Sequence, residues 1–543
     1  MVTKTRRRTR RSQRRAQVAK PSGSISPRVQ KVGPEHFGIL AVDCAKARSK
    51  WMLADFYGRI LVPETEVEHT RQGFAAAVAA LRQALAAEEI QDLVAAIEQT
   101  GHYHRPIQRA LAAAGFETRI VHPLTTQQFR IPADPGNKTD ETDLKAIHRA
   151  ALNGFGLIEP PRDPIHDELR MLARHRRDLV EKNAALRNQL HAELDALLPG
   201  LTGVVSNLLD HEPAWIIARH AGSAQRIRTL GLEGLARLLE DRGIRYQRRT
   251  LTKILAWAET AHDIDNFTEV HKKILESLDD ERQARLGRIR TLERDLAALL
   301  VQTPYVLLLS WPGINVVSAA ELAGEMGPIQ NYPGDGAITG RAGLFPSRYQ
   351  SDKVDRSDGP LVKRANRALR YILLLIAENL MLCNAHFRRL GQQWKAQGVD
   401  PRIGHVRIAK HFCRIAYQMV AGRQVFRHPS CQKRHKILEK LSIFHSDHDT
   451  QIEQLLRDLT AAAAWIPRSE YATEAEPFLA SLPPGTATHA PAAPSQPRPP
   501  ARPRITSRRD TGPRPLSAIL PELLLTLGVP MVQSKTSEET DLT

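Results

Sequence analysis

Residues 36–64 read HFGILAVDCAKARSKWMLADFYGRILVPE and hold three short apolar runs, at 36–43, 49–56 and 58–64, separated by charged or glycine-containing turns. Runs of this length bounded by turn residues predict three successive strands. Working outward, the Ala/Leu-rich segment 74–86 predicts a helix, 92–98 a buried strand and 103–114 a second helix. Residues 117–121 predict a further strand and 139–153 a third helix.

Three sequential strands, then helix, strand, helix, strand, helix, is the order of a ribonuclease-H-like α/β fold. Further on, 163–198 is charged, leucine-rich and free of Gly and Pro after Pro164. Leu169, Leu172, Leu179, Leu186 and Leu190 recur there at three-, four- or seven-residue spacings, as in a long amphipathic or coiled-coil helix. A second such helix is expected over 279–300, and 201–278 is helical by composition with no motif to interpret. Residues 304–390 form an expected compact helical module and 400–465 further helix; order fades beyond 467 except over the apolar run 516–532.

The chain has 543 residues, with Lys+Arg 77 against Asp+Glu 59 and a formal net charge of +18. A charged fraction of 25% and a hydrophobic fraction of 42% are ordinary for a folded protein. Residues 1–31 carry eleven Lys/Arg and no acid, and Arg498, Arg502, Arg504, Arg508, Arg509 and Arg514 face only Asp510. The prolines of PSQPRPPARPR exclude a helix or central strand there. Both ends read as disordered basic tails whose binding is non-specific and salt-sensitive. Such an excess points to a polyanionic partner, usually nucleic acid. The N-terminus lacks the apolar core of a signal peptide, although its arginines imitate a transit peptide. Cys44, Cys383, Cys413 and Cys431 are too sparse for a disulfide framework. The longest apolar stretch, 371–383, is interrupted by Glu378 and Asn379 and is shorter than the ~20 residues that span a bilayer.

Asp43 ends the first run, Glu98 ends the fourth expected strand, and Asp140 and Asp143 lie three apart on one helix face. Acids that converge in this way repel one another unless a hard divalent cation binds. Two Mg²⁺ (or Mn²⁺) ions ~3.5–4 Å apart polarise a phosphodiester and stabilise its attacking and leaving oxygens. Singly, each acid also reads as a turn former or helix cap.

Asp43, Glu98, Asp140 and Asp143 resemble the DEDD tetrad of the IS-one-ten family of insertion-sequence transposases. The phrases around them resemble it too: D-x-A/S-K at Asp43 and Lys46, E-x-T-G at Glu98, Thr100 and Gly101, and K-T-D-x-x-D from Lys138 through Asp143. The resemblance implies a RuvC-like domain over 36–160 after a basic arm at 1–35, and a helical coiled-coil connector over 161–302. A mainly α C-terminal transposase domain is expected over 303–465, and a mostly disordered Pro/Arg-rich tail over 466–543.

The segment LLLSWPGINVVSAAELAGEMG, 307–327, resembles the P-G-I-G opening of that C-terminal domain, which is helix-hairpin-helix-like. A tight glycine turn before a helix offers backbone N–H groups to a phosphate. Asn315 stands where the second glycine is expected, and Asn tolerates left-handed geometry. Gly343, Leu344, Pro346, Gln350 and Ser351 then match the family's G-L-x-P-x-x-x-Q-S-G, and Asn366, Leu369 and Arg370 its G-N-x-x-L-R. The family's serine is the nucleophile, which implies that role for Ser351. Asp352 replaces the following glycine and adds repulsion toward phosphate; Ser347 is the fallback and Ser357 a remote third candidate. A serine hydroxyl needs activation, no His base stands at a diagnostic spacing, and a composite site with the carboxylates is the economical expectation. Lys363, Arg367 and Arg370 fall at i, i+4 and i+7, with Arg348 and Lys353 beside the serine, as candidate phosphate contacts.

The resemblance implies a transposase or recombinase joining donor and target DNA through a phosphoserine intermediate, guided by a structured bridge RNA. It further implies a homo-oligomer, dimer or tetramer, in the nucleoid-associated cytoplasm of a bacterium or archaeon, with no membrane partner. Two rivals are a RuvC-like metal-dependent nuclease that does not need Ser351, and a catalytically decayed RNA/DNA-binding relative. An actin-like ATPase would need Gly-rich phosphate loops, and none follows Asp43. His428, Cys431 and His435 lack a close fourth ligand and read as exposed basic residues. An aromatic fraction of 5% offers no base-stacking array.

Overall fold

In the computed structural model, the described residues are 24–133, 135–159, 163–262, 267–351, 354–356, 359–363, 365–427 and 436–480. The chain divides into two compact units, 1–162 and 163–543. The tails at 1–23 and 481–543, the run 516–532, and Asp352, Lys353, Ser357, His428, Cys431 and His435 lie outside the described residues.

The first unit is built on β1 (Phe37–Cys44), β2 (Arg48–Asp55), β3 (Ile60–Glu68), β4 (Asp92–Glu98) and β5 (Glu117–Val121). Their order in the sheet is β3-β2-β1-β4-β5. The β1–β2 and β2–β3 pairs are antiparallel, and the β1–β4 and β4–β5 pairs parallel. Two-residue periodicity splits the apolar side chains between two faces. Ile39, Ala41, Val94 and Ala96 pack with Leu144 and Ile147, while Leu40, Val42, Ala95 and Ile97 pack with Leu81, Ile107 and Leu111. The helices are α1 (Ser26–Val32), α2 (Arg71–Ala87), α3 (His104–Ala113), α4 (Pro123–Arg130) and α5 (Asp140–Leu152).

Two of these helices were not expected. The disordered arm anticipated through residue 35 is helical over Ser26–Val32. Its Ile25 and Val29 enter the sheet core, and Arg28 donates to Asp92 at 2.8 Å and to the Leu93 carbonyl at 2.9 Å. Helix α4 follows β5 with Pro123 in its first turn, where a missing N–H costs nothing.

The second unit opens with α6 (Pro164–Leu197). Short helices α7 (Leu201–Val204), α8 (Glu212–Ala221), α9 (Ala224–Glu240) and α10 (Arg248–Thr260) follow and enclose a core of their own. Helix α11 (Thr268–Leu300) packs along α6 and begins eleven residues before the expected 279. The remaining described elements are α12 (Val316–Met326), α13 (Asp335–Ala342), β6 (Tyr349–Ser351), β7 (Val354–Arg356) and α14 (Arg367–Cys383). After them come α15 (Ala385–Ala396), α16 (Pro401–Ala421), α17 (Ile437–Asp447), α18 (Ile452–Ala463), α19 (Arg468–Glu474) and α20 (Glu476–Ala480). Their core centres on Trp311, which stacks on Phe426 with ring centroids 4.4 Å apart. Among the described residues no single helix is long and apolar enough to cross a membrane, and the apolar face of α14 is buried in this core.

Candidate active site: four carboxylates and a serine hairpin

Strands β1 and β4 are neighbours and parallel, with Val42 in register with Ile97. The next residues, Asp43 and Glu98, therefore emerge side by side at the same end of the sheet. Their carboxyls lie within hydrogen-bond reach of one another, so a proton on either is shared with its neighbour. Burial, and then the charge of Asp43, pushes Glu98 up to about 7, which makes Glu98 the proton holder. Burial also raises Asp43, against the hydrogen bond from Glu98, and the charges of Asp143 and Asp140 raise it further. Asp43 is thus within electrostatic reach of the other three acids, and Glu98 of Asp43 and Asp143.

Helix α5 delivers the last two. Thr139 caps it, accepting from the Thr142 N–H at 3.2 Å while the Thr142 hydroxyl accepts from the Thr139 N–H at 2.9 Å. This capping box fixes where the helix starts and sets Asp140 and Asp143 in its first turn. Buried Asp143 is ion-paired with Arg130 of α4. Exposed Asp140 pairs with Lys50 at 2.8 Å, and Lys50 also reaches Glu64 at 2.5 Å. Lys50 lies opposite Asp43 in the β1–β2 register. Neither Lys50 nor Arg130 was singled out by sequence, since the pairings bring together segments far apart along the chain.

Among the described residues no three acidic, His or Cys side chains are gathered closely enough to hold a metal ion as they stand. The donor set is nonetheless all carboxylate oxygen, which suits a hard divalent cation. Two of the four acids already draw a cation, Lys50 or Arg130, so the centre demands positive charge.

Ser351 lies on a hairpin that composition did not reveal, because β6 is exposed along its length and carries no apolar alternation. After α13, Gly343 turns the chain at φ +62°, a left-handed value that favours glycine. The Ser347 N–H and hydroxyl both donate to the Pro360 carbonyl, at 2.9 and 3.0 Å, and the Val362 N–H donates to Phe345 O at 3.1 Å. Strands β6 and β7 continue the ladder to the pair Ser351–Val354. Ser351 is exposed at the end of the arm, whereas the Ser347 hydroxyl is engaged at its base.

Arg348 pairs with Asp355 across the hairpin, at 2.9 and 2.6 Å. The Arg370 guanidinium is turned inward: Nε donates to Ala342 O at 2.8 Å and Nη2 to Val362 O, so it staples the two legs of the arm together. Lys363 and Arg367 are exposed. Asn366 caps α14, accepting from the Leu369 N–H at 3.0 Å, and donates to Glu325 at 2.9 Å. Glu325 is held bidentate by Arg174 of α6, at 2.6 and 2.9 Å.

The glycine turn at 312–315 differs from expectation at Asn315. Its φ is −106°, and it serves as N-cap of α12 through a reciprocal pair with Ser318 instead of taking a left-handed conformation. Lys440 of α17, unremarked in the sequence, donates to the Trp311 and Ile314 carbonyls of this turn at 2.7 Å each. Burial pulls Lys440 down to about 7.

Both parts coincide with known transposase families. Residues 40–199 match a DEDD transposase family, and residues 305–392 match the transposase family of IS116, IS110 and IS902. Together with the two relatives below, these matches support an IS110-family insertion-sequence transposase. The chain is 25% identical over 292 residues to the insertion element IS110 43.6 kDa protein of Streptomyces coelicolor, covering 53% of this chain and 71% of that one. It is 22% identical over 344 residues to the insertion element IS116 44.8 kDa protein of Streptomyces clavuligerus, covering 63% of this chain and 85% of that one.

Proposed function

We propose that the chain cuts and rejoins DNA by serine attack on a phosphodiester, with the carboxylate centre holding Mg²⁺ or Mn²⁺. The observation that carries this is the meeting of Asp43 and Glu98 at matching ends of adjacent parallel strands, with Asp140 and Asp143 raising the acidity cost further. The sheet order, three antiparallel strands extended by two parallel ones, supports a ribonuclease-H-like, RuvC-like reading. A bound divalent cation would supply charge neutralisation for the phosphorane oxygens. The Ser351 hydroxyl loses its proton to solvent and its oxygen bonds to phosphorus, while the bond from phosphorus to the strand's departing oxygen breaks and that oxygen takes a proton from solvent to leave as a hydroxyl. The DNA end is kept as a phosphoserine until another strand's hydroxyl reverses the step. A structured guide RNA, an oligomer assembled through the connector helices, and a nucleoid-associated cytoplasmic setting rest on the family resemblance.

Incubation with cognate element ends and denaturing electrophoresis tests the chemistry. A protein–DNA adduct is expected from the unaltered chain and from Ser347→Ala, and none from Ser351→Ala. Cleavage and rejoining by Ser351→Ala would overturn the covalent route in favour of hydrolysis by activated water.

A further inference from the structure

The segment 385–427, most of which lies beyond the residues that match the family, holds nine Lys/Arg against Asp400 alone. Asp400 is itself the N-cap of α16, accepting from the Arg402 N–H at 2.7 Å. Helix α16 buries Ile408, Phe412, Cys413, Ala416 and Met419 and presents Arg407, Lys410 and Arg414 to solvent. Spacings of three and four put these cations in one row, about 10 Å long at 1.5 Å per residue. Among the described residues no ion pair involves any of the three, nor Arg389, Lys395 or Arg402.

The exposed face of α6 is arranged differently. On α6, Arg170 pairs with Asp167 at 2.6 Å, Lys182 with Asp178 at 2.7 Å and Arg187 with Asp210 at 2.7 Å. A solvated face without a ligand balances its signs in that way, since like charges three or four apart destabilise a helix by a few tenths of a kcal/mol per pair. The α16 row accepts that cost and leaves its charge open. Arg407 is also oriented, its guanidinium 5.4 Å from the centroid of Trp394 on α15.

We propose that the exposed faces of α15 and α16 bind the phosphate backbone of duplex DNA, positioning it without reading its sequence. The polymer class rests on the transposase reading; the surface rests on its own geometry. Duplex DNA and duplex RNA share the chemistry, and the test separates them.

The full chain is titrated with labelled duplex DNA and, separately, duplex RNA across a salt series, with both tails present throughout. Each lost phosphate contact removes about 0.9 from the slope of log K against log salt, so R407Q/K410Q/R414Q lowers it by about 2.7 and R414Q alone by about 0.9. K182Q, at a paired exposed cation, leaves it unchanged. A fall on duplex DNA supports the surface, and a fall confined to duplex RNA overturns the DNA assignment. An unchanged slope in a triple variant with native thermal unfolding overturns the surface and leaves adduct formation at Ser351 standing. Loss of binding to phosphatidylserine vesicles with duplex affinity intact overturns it in favour of a membrane.

Discussion

The carboxylate centre and the serine arm place the proposed reactive groups by different means. Asp43 and Glu98 are carried on central strands whose apolar neighbours are buried on both faces, so their positions follow from sheet register. Ser351 stands at the exposed end of a three-residue strand, held at its base by the main-chain bonds of Ser347 and the guanidinium of Arg370. The sheet thus imposes proximity on groups that repel, and the arm leaves its serine accessible. Rigid placement suits acids that must stay together against their own charge, whereas an exposed arm suits a nucleophile that meets a large polymer.

The comparison breaks most visibly at Asp43. Asp43→Asn removes a half-buried charge, and strand joining is expected to fall about a thousandfold or more, the scale of several kcal/mol of metal-assisted stabilisation. The same variant should melt higher, because burial and neighbouring acids oppose that charge; a lower Tm would refute the account of strain. On the arm, Arg370→Met leaves the Ala342 and Val362 carbonyls without their donor and should cost about 2 kcal/mol. Its adduct yield should drop while the Glu98 titration stays put, and an unaffected adduct yield would show that the staple is dispensable.

A smaller effect concerns pH. Glu98 is raised from 4.5 to about 7 in the folded protein, so the folded state holds the extra proton. Its contribution is fully present below pH ~4.5 and is lost as pH rises through about 7. Metal-free protein should therefore lose Tm across that window, and Glu98→Gln should flatten the profile; an unchanged profile would remove Glu98 as the proton holder. The smallest effect is expected for Thr139→Ala, which deletes the cap of α5 and should cost about 1 kcal/mol, read by chemical denaturation.

The sheet was legible because buried strands advertise themselves: 92–98 and 117–121 were placed to the residue, and 36–43 within one of Phe37–Cys44. Helix α1 was hidden because Arg28 and Lys31 belong to a basic run by composition, and only the acids at 92 and 117 reveal why Arg28 is ordered. Strand β6 was hidden for the opposite reason, its three residues being exposed with no apolar face to conceal. Arg370 shares a helical spacing with Lys363 and Arg367, but spacing says nothing of which guanidinium turns inward. The carboxylates themselves were found from strand ends and helix periodicity, while their partners Lys50 and Arg130 depend on tertiary pairing alone.

The staple at Arg370 has a consequence for mutability. Its guanidinium grips carbonyl oxygens, which every residue possesses, so it is indifferent to the side chains at Ala342 and Val362. Exposed residues between its two attachment points can be exchanged with little penalty at the root, provided buried Leu344, Gly343 and Gly359 remain: a Cβ at Gly343 would meet Ala365 at 2.6 Å, and at Gly359 the Ser347 carbonyl at 2.6 Å. The arm is in that sense a replaceable tool on a fixed socket, and its tip is where new strand chemistry or a new target preference is most cheaply installed.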